Sequence, residues 1–191
     1  MPRAGLSTAR VVEEAEAVAD EVGLTRLTLA EVAGRLGVRV PSLYKHVDGM
    51  DALVRLVSVR AKSELGDVLA RAAVGLSARD ALVALCLAYR CWAQDHPGRY
   101  ATTVTAPAAG DADDLAASTA VVEVVFAVLA GYGLAEDARV DATRTLRSAL
   151  HGFLVLEAGG GFGLPVDVDR SFDALVAALD RALTTWPAPA P

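Results

Sequence analysis

The sequence predicts an all-α protein of about nine helices, with a three-helix head at the N-terminus and a helical bundle as the body. Three observations predict it. Apolar residues recur with helical period almost from end to end. Capping and stop residues punctuate those stretches at the right places. No stretch of the 191 residues reads convincingly as a strand. Hydrophobic residues make up 53% and charged residues 22%, a balance that folds and excludes disorder.

The elements follow in order. Val11, Ala15, Val18 and Val22 lie on one helical face. Ser7 can cap that helix and Gly23 can end it. Thr28 opens a second helix with Glu31 three residues on, the capping-box spacing, and Gly37 stops it at Leu36. Pro41 starts a short third helix through about His46. Asp48 is the expected cap of a longer fourth, with Leu53, Leu56, Val57, Ala61 and Leu65 inward. Leu82, Leu85, Tyr89 and Trp92 mark a fifth helix that stops before Pro97, and a short helix covers Pro97 to Thr105. Pro107 to Asp114 reads as a loop, and Leu115 to Leu129 as a helix apolar on all sides and therefore buried. Leu146, Leu150, Phe153 and Glu157 mark a helix ended by Gly159, Gly160 and Gly161, and Phe172, Leu175, Val176, Leu179 and Leu183 mark the last. The division expected is a head over 1–50, a body over 51–187 and a disordered Pro-Ala tail over 188–191.

The net charge is −6. Phosphate contact needs clustered cations, so the whole chain does not advertise nucleic-acid binding. The segment Thr25 to Val47 reverses that balance: Arg26, Arg35, Arg39 and Lys45 face one acid, Glu31. Local positive charge can steer a small head while the body stays acidic. Cys86 and Cys91, five residues apart on one helix, point in different directions and make a poor disulfide, which favours a reducing cytoplasm. No stretch has the length or apolarity of a signal peptide or a membrane span.

The segment LTLAEVAGRLGVRVPSLYKHVDGMDAL, Leu27 to Leu53, has the form of a helix-turn-helix. Val32, Ala33 and Leu36 bury the first helix, Gly37 supplies the turn, and Val38 and Leu43 pack the second helix back. Arg39, Val40, Pro41, Ser42, Tyr44, Lys45 and His46 are left for an outside partner. In such motifs the second helix enters the major groove of DNA.

From Ser7 to Leu56 the chain resembles the DNA-binding domain of the TetR/AcrR regulators, on Leu36-Gly37-Val38 and Leu43-Tyr44-Lys45-His46-Val47 in particular. The resemblance implies that Arg39, Val40 and Pro41 lie nearest the bases with Ser42 beside them. Tyr44, Lys45, His46 and Thr28 would then touch phosphates. Met50 stands where family members often carry Lys, so one backbone contact is expected to be missing. The body resembles a TetR subgroup named for Trp, His and Gly positions. The pieces are Trp92 to Tyr100, Leu150-His151-Gly152-Phe153, Gly161-Phe162-Gly163 and Arg170-Ser171-Phe172.

The resemblance implies a homodimer on a palindromic double-stranded operator, probed through Leu146, Leu150, Phe153, Leu154, Phe172, Leu175, Val176 and Leu179 as the dimer surface. It also implies a mostly apolar small-molecule effector, with Tyr89, Trp92, Tyr100, Phe126, Leu146 and His151 as pocket candidates. Residues on such helical stripes are more often plain core. An enzyme and a helical small-molecule carrier are the rival classes. The three histidines lie about fifty residues apart, and no metal, phosphate-loop or nucleophile-elbow pattern occurs, so no cofactor, metal or catalytic residue is expected.

Overall fold

In the computed structural model, which describes residues 5–187, the chain is all-helical among the described residues. The elements are α1 (Thr8–Val22), a one-turn 3-10 helix (Leu24–Arg26), α2 (Leu29–Arg35), α3 (Val40–Leu43), α4 (Met50–Ala73), α5 (Ala78–Asp95), α6 (Pro97–Thr102), α7 (Ala112–Ala130), α8 (Glu136–Ala158) and α9 (Val168–Thr184). Local chemistry fixes the ends of the first helices. The Ser7 side chain accepts a hydrogen bond from the Arg10 N–H, and Gly23 takes φ +86° where α1 stops.

The described residues form two compact units, one of 5–64 with 95–118 and the other of 65–94 with 119–187. The first unit therefore takes in more than the three-helix head: α6 and the start of α7 belong with it. Its core is Val11, Ala15, Val18, Val32, Leu43, Leu53 and Val57, all sealed from solvent. Gly98 lets α6 lie directly on α1, because a Cβ there would run into the Ala19 carbonyl and come within 2.6 Å of the Asp20 nitrogen.

Charges hold the rest of that unit. The Arg99 backbone N–H and Nε donate to the two Asp20 carboxylate oxygens at 2.8 and 2.7 Å, and its Nη1 donates to Glu64 at 2.6 Å. Lys62, only 3% exposed, donates to Asp114 at 2.6 Å and to the Thr105 carbonyl at 3.0 Å. Arg55 forks onto Asp111 and reaches Asp113 at 3.0 Å. The Ser58 hydroxyl donates to the Thr102 carbonyl at 3.0 Å.

The second unit is built on apolar burial. Leu69, Leu82, Leu85, Leu129, Leu150 and Phe172 are fully buried. Arg90 on α5 is the ionic element at its centre: it pairs with Glu157 of α8 and, at 2.7 Å, with Asp169 of α9. Its guanidinium lies 4.7 Å from the Phe172 ring centroid and 5.8 Å from that of Phe153. Phe162 in turn stacks on Phe153 at 4.8 Å, which seats the glycine-rich connection after α8.

Several expected details change. Gly49, with φ +96°, takes the cap position of α4, and its carbonyl accepts from the Leu53 N–H; Asp48 lies one residue too early. The third helix is helical only to Leu43, and Tyr44 to His46 continue as turns. The short sixth helix ends at Thr102, and α7 begins at Ala112, inside the stretch read as loop. That helix is not buried all round: Leu115 is 58% and Val122 39% exposed. The expected disorder of 188–191 lies outside the described residues.

Candidate nucleic-acid interface

The recognition segment is held by its own local chemistry. The Thr28 side chain accepts from the Glu31 N–H at 3.2 Å, so α2 starts there, as the spacing predicts. At its other end the Val38 N–H donates to the Ala33 carbonyl and the Gly37 N–H to the Gly34 carbonyl, at 3.0 and 3.1 Å. These two bonds form a Schellman motif, with Gly37 at φ +67° as the left-handed residue. The chain turns there and enters α3 with Pro41 in its first turn, where a missing N–H costs nothing. Leu43 is wholly buried and fixes the roll of α3. The Thr8 hydroxyl donates to the His46 carbonyl at 3.1 Å, tying the far end of the turn to the start of α1.

This packing sorts the expected contact residues. Arg39, Pro41, Tyr44 and Lys45 are exposed, with Tyr44 at 56%, and Thr28 is exposed at the mouth of α2. Ser42 and His46 are half-buried. Val40 is half-buried and packs on the head core, so its side chain is less open than the sequence led one to expect.

The four cations of the segment are not equivalent. Arg35 pairs with Glu21 at 2.6 Å and Glu31 at 3.3 Å, and Arg26 donates to the Val22 carbonyl at 2.6 Å. Arg26, Arg39 and Lys45 make no ion pair among the described residues; Arg26 is turned back onto the Val22 carbonyl, and Arg39 and Lys45 are the two that flank α3. Met50 is partly buried against the head core, so the position serves packing.

The remaining candidates divide between the units. Tyr100 is buried on α6 in the first unit. Tyr89, Trp92 and Leu146 are buried in the second, with Phe126 and His151 half-buried there. Of the dimer candidates, Leu150, Leu154, Phe172, Val176 and Leu179 are buried within their own unit, and Phe153 and Leu175 partly so. These side chains close the unit's own core. Apolar side chains exposed on α8 and on the connection to α9 include Val155, Leu156, Leu164 and Val166. No group of three His, Cys, Asp or Glu is placed to hold a metal among the described residues. Cys86 is buried and Cys91 exposed, and both are free.

Sequence reasoning missed the Thr8 hydroxyl and the Gly98–Arg99 docking of α6. The HisProGlyArgTyr run, 96–100, carried the second signal: a glycine and an arginine directly after a first-turn proline mark a short helix pressed on a backbone.

Residues 82–179 match the family described as "Tetracyclin repressor-like, C-terminal domain". An uncharacterized HTH-type transcriptional regulator of Mycobacterium tuberculosis, Rv0681, is 37% identical over 92% of this chain and 81% of its own length. The Bacillus subtilis HTH-type regulator YobS is 33% identical over 89% of this chain and 88% of its own. Apo ActR from Streptomyces coelicolor, 18% identical, shares the fold with a TM-score of 0.73 over 95% of this chain and 96% of its own. Members of this group are transcription regulators and not enzymes. With residues 82–179 matching the family and about nine-tenths of its length matching two HTH-type regulators, the chain belongs to the TetR family of helix-turn-helix transcriptional regulators.

Proposed function

We propose that this protein is a homodimeric repressor that binds a palindromic operator in the cytoplasm and releases it when a mostly apolar small molecule binds. The observation that carries the DNA reading is the turn, held by Gly37 and by buried Leu43, that leaves Arg39, Pro41, Tyr44 and Lys45 outward, with neither cation in an ion pair among the described residues. Arg39 would read a guanine edge, with Pro41, Val40 and Ser42 beside it. Tyr44, Lys45, His46 and Thr28 would set register on phosphates. A relative named as the HTH-type transcriptional repressor DrrR1 of Streptomyces coeruleorubidus, 38% identical over 42% of this chain, supports repression.

Two copies would meet through the outward apolar residues of the α8–α9 hairpin, Val155, Leu156, Leu164 and Val166. Ligand response draws support from fold neighbours: a TetR of Acinetobacter baumannii is described in complex with minocycline, and ActR in complex with (S)-DNPA. The pocket would lie in the second unit, about Tyr89, Trp92, Phe126, Leu146 and His151. Release requires the ligand to favour the conformation that fits DNA less well.

Selection of bound sequences from random duplex DNA tests the reading, and a palindrome should be enriched. Tyr44→Ala should then weaken binding to every duplex, and Arg39→Ala should relax base preference by about 1–3 kcal/mol at one position of each half-site. Unchanged operator affinity in both variants sinks the assignment.

A further inference from the structure

One arginine of the second unit stands where an apolar side chain is expected. Arg139 shares a face of α8 with Thr143, Leu146 and Leu150, at the i, i+4, i+7, i+11 spacing. Leu146 and Leu150 on that face are buried. The Arg139 guanidinium lies 5.7 Å from the Phe126 ring centroid of α7. Its Nε is sealed from solvent and meets no hydrogen-bond acceptor, and the Thr143 Oγ, one turn along, is sealed and unpartnered too. Among the described residues no carboxylate pairs with Arg139; Glu136 and Asp137 nearby are exposed. The helix dipole adds to the anomaly, because Arg139 sits in the first turn of α8, where a cation is disfavoured.

Among the described residues the two buried cations are answered. Lys62 has Asp114, and Arg90 has Glu157 and Asp169. A buried donor left unmatched costs free energy comparable to the hydrogen bond it lacks, and the cost is larger for a charged group. Two such groups on adjacent turns, both donors, with an aromatic ring beside them, are matched by an anion. A carboxylate fits the set: a guanidinium takes two oxygens through Nε and Nη, and a hydroxyl donates to one of them. The half-buried Phe126 ring beside the guanidinium offers an apolar surface to the body behind the charge.

We propose that Arg139 and Thr143 bind the carboxylate of an apolar organic acid, with Phe126 against its body. The proposal rests on the reading of this chain as a ligand-responsive regulator and names the class of ligand.

The test uses the full chain and four probes: 3-phenylpropionate, octanoate and the primary amide of each. Both acids should raise the melting temperature of the wild type in proportion to concentration, and the amides should not. Arg139→Met and the near-isosteric Thr143→Val should each weaken acid binding by roughly tenfold or more, read by calorimetry. Their ligand-free melting temperatures should stay level or rise, because an unmatched donor is removed. Equal binding of acids and amides, no binding of either acid at millimolar concentration, or a fall of about 3 °C or more in both ligand-free variants overturns the proposal. Operator binding, measured alongside by fluorescence anisotropy, separates the two readings. Acid binding without operator release keeps the site and removes the coupling. Operator binding without acid binding keeps the regulator and removes the site.

Discussion

The two units solve the same problem, holding helices distant in sequence, with opposite chemistry. The first ties α1, α4, α6 and the start of α7 by ion pairs: Arg99 to Asp20 and Glu64, Lys62 to Asp114, Arg55 to Asp111 and Asp113, and Arg60 to Glu16 at 3.1 Å. The second relies on leucine and phenylalanine burial around one arginine, Arg90. Directional bonds fix small offsets, which suits a unit whose exposed turn would present Arg39 and Tyr44 in register. Apolar packing tolerates rearrangement with little loss so long as volume is kept, which suits a unit that would admit a ligand. Charge here does two jobs. Among the described residues most cations of the first unit are structural, and Arg39 and Lys45, which flank α3, are left without an ion pair.

The largest effect is expected at Gly98. A side chain there meets helix backbone, which has no cheap way to move. Gly98→Val should cost about 3 kcal/mol or more, seen as a large drop in melting temperature, and operator affinity should fall with it. If Gly98→Val melts like the wild type, α6 does not press on α1 and the clamp is misread.

Next in size come the buried ion pairs, one from each unit. Asp114→Ala strands the Lys62 ammonium, and Arg90→Met strands the Glu157 carboxylate. Each should cost about 3 kcal/mol in denaturant unfolding. The two differ in what rescues them. Lys62→Met combined with Asp114→Leu should recover most of the loss, because both charges go together. Arg90→Lys should recover little, because an ammonium cannot fork onto Glu157 while lying against Phe172. Full rescue by Arg90→Lys makes the second unit's centre a simple point charge and weakens the contrast.

Much of the first unit was legible in the sequence because its signals are local. Ser7, Gly23, Thr28 and Gly37 act on backbone groups within five residues, so spacing alone places them. The clamp was not legible, because Asp20 and Arg99 stand 79 residues apart and Lys62 and Asp114 stand 52 apart. Until the chain folds, such residues look like solvated charge. Arg35 misled for the same reason: its partner Glu21 comes from α1, and a count over Thr25 to Val47 does not include it. In the second unit the stripes of α8 and α9 gave the helices but not their use. Apolar residues occur on both the inward and outward faces of that hairpin. Leu150 and Leu154 turned inward, therefore, while Val155 and Leu156 turned out.

The smallest effect is also the most discriminating, because two carboxylates of the first unit should respond to pH with opposite sign. The Arg55 guanidinium holds the Asp111 carboxyl below its usual range. Burial pushes the Glu16 carboxyl up, against the pull of Arg60. A depressed carboxylate contributes stability that is present above its unfolded value and lost as pH falls through its folded value. A raised one contributes stability that is present in acid and lost as pH rises through its folded value. At neutral pH Asp111→Asn should therefore lower the melting temperature, and Glu16→Gln should raise it by about a degree or two. Both differences should shrink toward zero below the carboxylate range. Melting curves of the two variants and the wild type, from about pH 3 to about pH 8, read this directly. If Glu16→Gln is the less stable protein at neutral pH, Arg60 outweighs burial, and the ion pairs of this unit all stabilise it. If the signs come out opposite, the unit keeps a buried acid at a cost to its own stability, and the α1–α4 contact is held by geometry at the expense of energy.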